Sequence, residues 1–176
     1  MSTTTKRRLD DLTKLSNAEL EKILVAGTTP DFAKLDGWVF RGWNVAAMAH
    51  VLRIKKFAKG FFTKDGRRLG YNHPVKQSAL EGPWDLKPSN EAPKRFGFYE
   101  VRSTAAGERD HRYPNALLLD YGRGPNPWYE VAKILRDFVV KVDPDNDDLY
   151  LGKAYVALGP LRVFGGYFII ERLRKA

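Results

Sequence analysis

The sequence predicts a mainly β protein: an antiparallel up-and-down β-barrel of about eight strands, with an N-terminal helix and one short helix after the first strand. Three features point to it. Strand-like runs recur from Trp38 to Leu173. Short or irregular turns join most of them, not crossover helices, and this favours a meander over a βαβ design. Glycines recur inside the runs, where they mark sharp bends or close approach to the sheet. Eight antiparallel strands close into a barrel just wide enough for packed side chains or one small ligand.

The elements follow in order. Residues 1–8 read as a flexible basic tail, and 9–176 as a single domain. Ser16 and Glu19 have capping-box spacing, and Leu15 and Leu20 stand where a hydrophobic staple would sit. Gly27 can close the helix. A helix over about 16–26 follows, with Leu20, Ile23 and Leu24 as its apolar stripe. Trp38–Trp43 is the first strand. Asn44 is then expected to cap a short helix from Val45 to about Arg53, because VAAMAHVL lacks strand alternation. Phe57–Lys64 and Arg67–His73 flank Asp65-Gly66, a strong hairpin signal. Residues 74–94, with four prolines, read as a long surface loop. Strands are expected over 95–102, 115–121, 135–142, 149–158 and 162–173, with a helical turn near 128–134.

If Asp65-Gly66 alone is the first hairpin loop, Lys64 faces Arg67, Phe62 faces Leu69, Phe61 faces Gly70 and Gly60 faces Tyr71. One face of this hairpin is then apolar, with Ala58, Phe62, Leu69 and Tyr71. The other carries Lys59, Thr63 and Arg68 beside Phe57 and Phe61. Gly159-Pro160 reads as the turn before the last strand; if Pro160-Leu161 is the loop instead, Tyr167 lies opposite Ala154, Tyr155 opposite Gly166, and Ile169 opposite Gly152. Large residues thus face glycines, which serves barrel curvature or clears space for a ligand.

Composition narrows the function. At 43% hydrophobic residues, the chain is not globally disordered. No apolar run approaches the ~18 residues of a transmembrane helix, and the first residues lack the apolar stretch of a secretory signal. Zero cysteines exclude disulfides, thiolate metal sites and a cysteine nucleophile. A reducing, cytoplasmic setting is expected. The net charge of +9 is local. Lys6, Arg7 and Arg8 hold part of it, residues 53–68 net +6, and residues 171–175 net +2, leaving −2 for the rest. This is two tails and one hairpin region, not the continuous basic coat of a nucleic-acid binder.

Chemical motifs are scarce. His50, His73 and His111 are distant from one another and lack supporting carboxylates, so no metal site or other cofactor is expected. Asp143-x-Asp145-x-Asp147 fails as a calcium loop, because Asp148 stands where glycine is wanted and Ala154 where an acid is wanted. Residues 122–128 carry no phosphate-binding glycine pattern, and no GxSxG elbow is present. Catalytic residues are therefore not assigned. The candidate ligand-binding residues are Trp38, Arg41, Trp43, Phe62, Tyr71, Tyr99, Tyr155 and Tyr167. Facing inward, Arg41 would bind a carboxylate or pair with an internal acid; facing outward, it would stack on Trp43. Lys56, Lys59, Lys64, Arg67 and Arg68, interleaved with phenylalanines, form a candidate anionic surface contact.

With Asp36-Gly37-Trp38 and Arg41-Gly42-Trp43 near its start and Arg172 or Arg174 near its end, the chain resembles the calycins: lipocalins, fatty-acid-binding proteins and their bacterial relatives. It departs from them in lacking the lipocalin G-x-W spacing, since both glycines directly precede tryptophan. The resemblance implies a barrel whose last strand places a basic residue over the first strand's tryptophan. It also implies a small hydrophobic ligand inside.

The leading expectation is non-catalytic binding of a small hydrophobic or amphiphilic, fatty-acid-like ligand in the barrel interior. One alternative is a metal-independent barrel enzyme using an inward acid–base pair drawn from Asp120, Tyr99, Tyr167 and His73. Another is a basic module, centred on 53–68, for nucleic acid or an anionic membrane.

Overall fold

The computed structural model describes residues 6–45 and 53–176. Three short helices, α1 (Leu9–Leu12), α2 (Asn17–Ala26) and α3 (Phe32–Leu35), precede eight strands. These are β1 (Trp38–Val45), β2 (Lys56–Lys64), β3 (Arg67–Pro74), β4 (Phe96–Arg102), β5 (Leu117–Asp120), β6 (Leu135–Lys141), β7 (Leu149–Leu158) and β8 (Leu161–Lys175). They close in sequence order into an antiparallel barrel, with β8 returning to β1. A 3₁₀ turn, Val131–Ile134, occupies the expected helical turn before β6. Among the described residues, no helix is long and apolar enough to cross a membrane.

Local chemistry explains the main elements. Ser16 and Glu19 form the capping box: the Ser16 hydroxyl accepts from the Glu19 amide at 3.3 Å, and Glu19 accepts from the Ser16 amide at 2.8 Å. Leu20 and Leu24 are fully buried against the barrel's outer face, worth roughly 1.5–3 kcal/mol each. Asp65 and Gly66 both have positive φ, 51° and 73°, as a two-residue type I′ hairpin demands. The β2–β3 register is accordingly the expected one, with Gly60 opposite Tyr71 and Phe61 opposite Gly70.

Two expectations are corrected. Val45 is the last residue of β1, paired with Tyr167, not the start of a helix, and Arg53 at its expected end has a positive φ of 52°; residues 46–52 of that expected helix, with His50, lie outside the described residues. The β7–β8 turn is Gly159-Pro160, as its residues predict, with Gly159 at φ 57° and Leu158 opposite Leu161, so the register drawn for a Pro160-Leu161 loop does not form. A further irregularity between Ala154 and Tyr155 leaves Ala154 opposite Gly166 and Gly152 opposite Phe168. A one-residue slip moves side chains to the other face, so Tyr167 pairs with Lys153 and takes its hydroxyl outside the barrel.

The sheet is apolar on both faces. Inside, Phe40, Phe61, Tyr99, Leu119, Val139 and Ile170 belong to one packed cluster. Outside, α1 and α2 cover β5–β8, and a third cluster of Val39, Ala58, Val75, Trp84 and Leu86 sits beneath the long loop. Four strand glycines are filled against by rings, whereas Gly165 and Gly166 line open space. A Cβ on Gly42, Gly60, Gly70 or Gly152 would stand within 2.1–2.3 Å of the ring of Phe57, Tyr71, Tyr99 or Phe168, in each case from the neighbouring strand. Each glycine gives its cross-strand aromatic a flat seat.

Candidate functional site

The interior is closed by packed rings over much of its length and opens at one end. There, the final residues of β1, β3 and β5 meet the first residues of β2, β4 and β6 around a cavity of about 170 Å³. Its apolar wall includes Phe57, Phe96, Leu135, Ala154 and Phe168, and its polar residues include Lys59, Asn72, Tyr121 and Asp137.

Strand alternation places this cluster. Lys59 lies between Phe57 and Phe61, so it points inward with them. Asp137 lies between Leu135 and Val139 on β6 and reaches across the lumen to it. The Lys59 and Asp137 side chains are only 4% and 5% exposed. Lys59 Nζ donates to Asp137 Oδ2 at 3.1 Å, Asn72 Oδ1 at 3.0 Å and the Tyr121 hydroxyl at 2.6 Å. Tyr121 in turn donates to Asp137 Oδ2 at 3.1 Å and accepts from Asn72 Nδ2 at 3.2 Å. The rings of Phe57, Tyr99, Tyr121 and Phe168 surround the ammonium at 5.0–5.4 Å. Burial pulls the Lys59 pKa down, against the upward pull of Asp137. Burial, reinforced by Asp137, pushes the Tyr121 hydroxyl well above its ordinary value. Asp137 Oδ1 is buried and has no hydrogen-bond partner among the described residues.

The expected site residues separate. Tyr99 is interior, its hydroxyl donating to the Gly60 carbonyl at 3.2 Å. Trp38 joins the interior cluster at the far end, beneath Arg172 at 4.2 Å and Lys175 at 4.0 Å. Arg172 is thus the basic residue over the first-strand tryptophan. Arg41 and Trp43 lie outside, contrary to an inward arginine. Arg41 pairs with Glu171 and stacks 5.0 Å from Trp84 instead of on Trp43. Phe62 and Tyr71 also lie on the outer face, their rings 5.7 Å apart. Tyr155 and Tyr167 pack under α2 beside Tyr113, Lys153 and Glu21; of the pair, only Tyr167 also touches the cavity edge. The reason is the covering. Helices and the long loop make the outer face as apolar as the inner one, so an aromatic strand face did not mark the inside.

The basic residues of 53–68 divide as well. Lys56 is fully buried: its ammonium donates to Ser78 and the Gly82 and Pro83 carbonyls, 3.8 Å from the Trp84 ring. Lys59 is the lumen lysine. Arg53 and Lys55 are exposed ahead of β2, and Lys64, Arg67 and Arg68 at the hairpin tip, where Arg67 is paired with Glu100 at 2.7 Å. Among the acid–base candidates, Asp120 pairs outside with Arg102 and Arg136. His73 is buried against the Lys94 carbonyl at 2.7 Å.

Sequence reasoning missed Asn72, Tyr121 and Asp137 and placed Lys59 outside. The available signal was Phe57-x-Lys59-x-Phe61, a lysine on an aromatic strand face, matched by an acid between Leu135 and Val139.

Fold and site together define an eight-stranded antiparallel barrel with a part-apolar cavity at its mouth and a neutral, buried ion pair in that cavity's wall. No family model matches the chain, and no curated protein and no solved structure matches it.

Proposed function

We propose that the protein binds a small, predominantly apolar molecule in the barrel mouth, without catalysis. The observation that carries this is the cavity: largely apolar walls, a few convergent polar groups, and an opening at the end of a closed barrel. Its volume of about 170 Å³ sets the scale. A dry apolar cavity of ~150 Å³ takes a benzene-sized guest. A ring-sized body fits; a long acyl chain enters by only part of its length. The expected anchoring of a fatty-acid head group by Arg41 has no support, because that side chain is held outside by Glu171.

The test is titration of the protein with toluene, followed by protein NMR, beside an Ala154→Phe variant that fills the cavity. Saturable shifts confined to cavity residues, abolished by the variant, support the reading. No saturable shift with either toluene or phenol up to the solubility limit, or the same shifts in Ala154→Phe, overturns it.

A second reading, a metal-independent enzyme, draws on the convergence of Lys59, Tyr121 and Asp137 in one cavity. It is the weaker one. Every Lys59 proton already has an acceptor, and burial holds the Tyr121 proton in place. Recovery of a chemically altered ligand after incubation with the protein would reverse the ranking.

A further inference from the structure

We infer that the cavity selects a neutral molecule carrying a hydroxyl or N–H donor on a ring-sized apolar body, the donor being received by Asp137 Oδ1. This rests on the proposed binding in the barrel mouth and adds the chemical class of the ligand.

The inference comes from counting donors and acceptors. An ammonium has three protons, and Lys59 gives one each to Asp137, Asn72 and Tyr121. It has none left for a ligand carboxylate. The Tyr121 hydroxyl accepts twice and donates once, so it too is complete. Four buried side-chain atoms lack a partner among the described residues: Tyr71 Oη, Arg102 Nε, Arg136 Nε and Asp137 Oδ1. Of these residues only Asp137 lines the cavity. The polar atom still unpaired in the cavity wall is therefore an acceptor, and a buried carboxylate oxygen left unpaired is costly.

Charge decides between kinds of donor. Lys59 and Asp137 cancel, so a neutral guest leaves the cavity neutral. A cationic guest would bring an uncompensated charge into low dielectric, and a carboxylate would meet the free oxygen of Asp137. The rings of Phe57, Phe96 and Phe168 then suit a flat body.

The test compares phenol, toluene, anisole and benzoate on the intact protein by NMR titration at neutral pH. Phenol has the size of toluene but more polarity to lose, so a cavity without an acceptor prefers toluene. The expected result is the reverse: phenol at least ten times tighter than toluene and anisole, equivalent to about 1.4 kcal/mol, with benzoate weakest. A Lys59→Met/Tyr121→Phe/Asp137→Leu variant should keep toluene binding and lose the phenol preference. Should that variant not fold, the four-probe order on the parent protein decides alone. Toluene binding as tightly as phenol assigns Asp137 Oδ1 to solvent and overturns the inference while leaving cavity binding intact, and benzoate binding best does the same. If toluene and phenol both fail to bind, the proposed function fails and the inference falls with it.

Discussion

Breaking the lumen ion pair from one side should be among the most damaging changes the barrel can suffer. In Asp137→Leu, the Lys59 ammonium loses an attraction of about 5 kcal/mol, taking 332/(20 × 3.1) for the 3.1 Å contact at an effective dielectric of ~20. It stays in a site where its side chain is 4% exposed. Partial relaxation and proton loss recover some of this, so the net cost expected is ~3–5 kcal/mol. For a chain of 176 residues, at ~2–4 °C per kcal/mol, the melting temperature falls by about 6–20 °C. Lys59→Met should cost a comparable amount by stranding the carboxylate. The pair replaced together, with Tyr121→Phe to avoid an orphaned hydroxyl, should return to within ~2 kcal/mol of the parent. Urea unfolding followed by tryptophan fluorescence measures all four proteins. Single variants each costing under ~1 kcal/mol and adding in the combined variant would mean that water reaches the pair, and the account of the cavity wall would fail.

Other outcomes follow from the same geometry. Gly70→Ala places a Cβ 2.1 Å from the Tyr99 ring, so it should cost ~1–3 kcal/mol in urea unfolding, with part of the loss recovered by adding Tyr99→Leu. Arg41→Ala should leave toluene affinity within about twofold of the parent, since double-mutant-scale effects are confined to touching residues and Arg41 lies on the outer face; a large loss would return it to the site. Burial, with Arg95 and Arg174 nearby, lowers the His73 pKa below its ordinary 6.5 despite its bond to Lys94. The unfolded chain then takes up that proton first, so stability falls as pH drops below about 6.5, by at most ~1.4 kcal/mol per pH unit, and His73→Gln should flatten this slope. Ser16→Ala should cost ~1 kcal/mol by opening the α2 cap.

The strands were legible almost to the residue, and the capping box fixed α2, because both rest on local chemistry. The two hairpins show where that stops. Asp65-Gly66 admits one loop, since both residues must adopt positive φ. Around Pro160 two adjacent loops were open, and the irregularity at Ala154/Tyr155 leaves no mark in composition. The site was harder for a different reason. Lys59 and Asp137 are 78 residues apart, and each alone reads as an ordinary outward charge. Only the closed barrel sets them face to face. Arg41, flanked by tryptophans, drew attention as the charge among aromatics, yet its ring partner proved to be Trp84, from a loop whose path no periodicity announces.

The rings seated on glycines have an evolutionary consequence. Gly42 with Phe57, Gly60 with Tyr71, Gly70 with Tyr99 and Gly152 with Phe168 are each one volume shared by two positions. Neither partner can drift alone: a side chain at the glycine evicts the ring, and a smaller residue at the ring leaves bare backbone. In descendants of this chain each pair should change together or not at all. Four such linked columns, at those spacings, would be a signature by which distant relatives could be found.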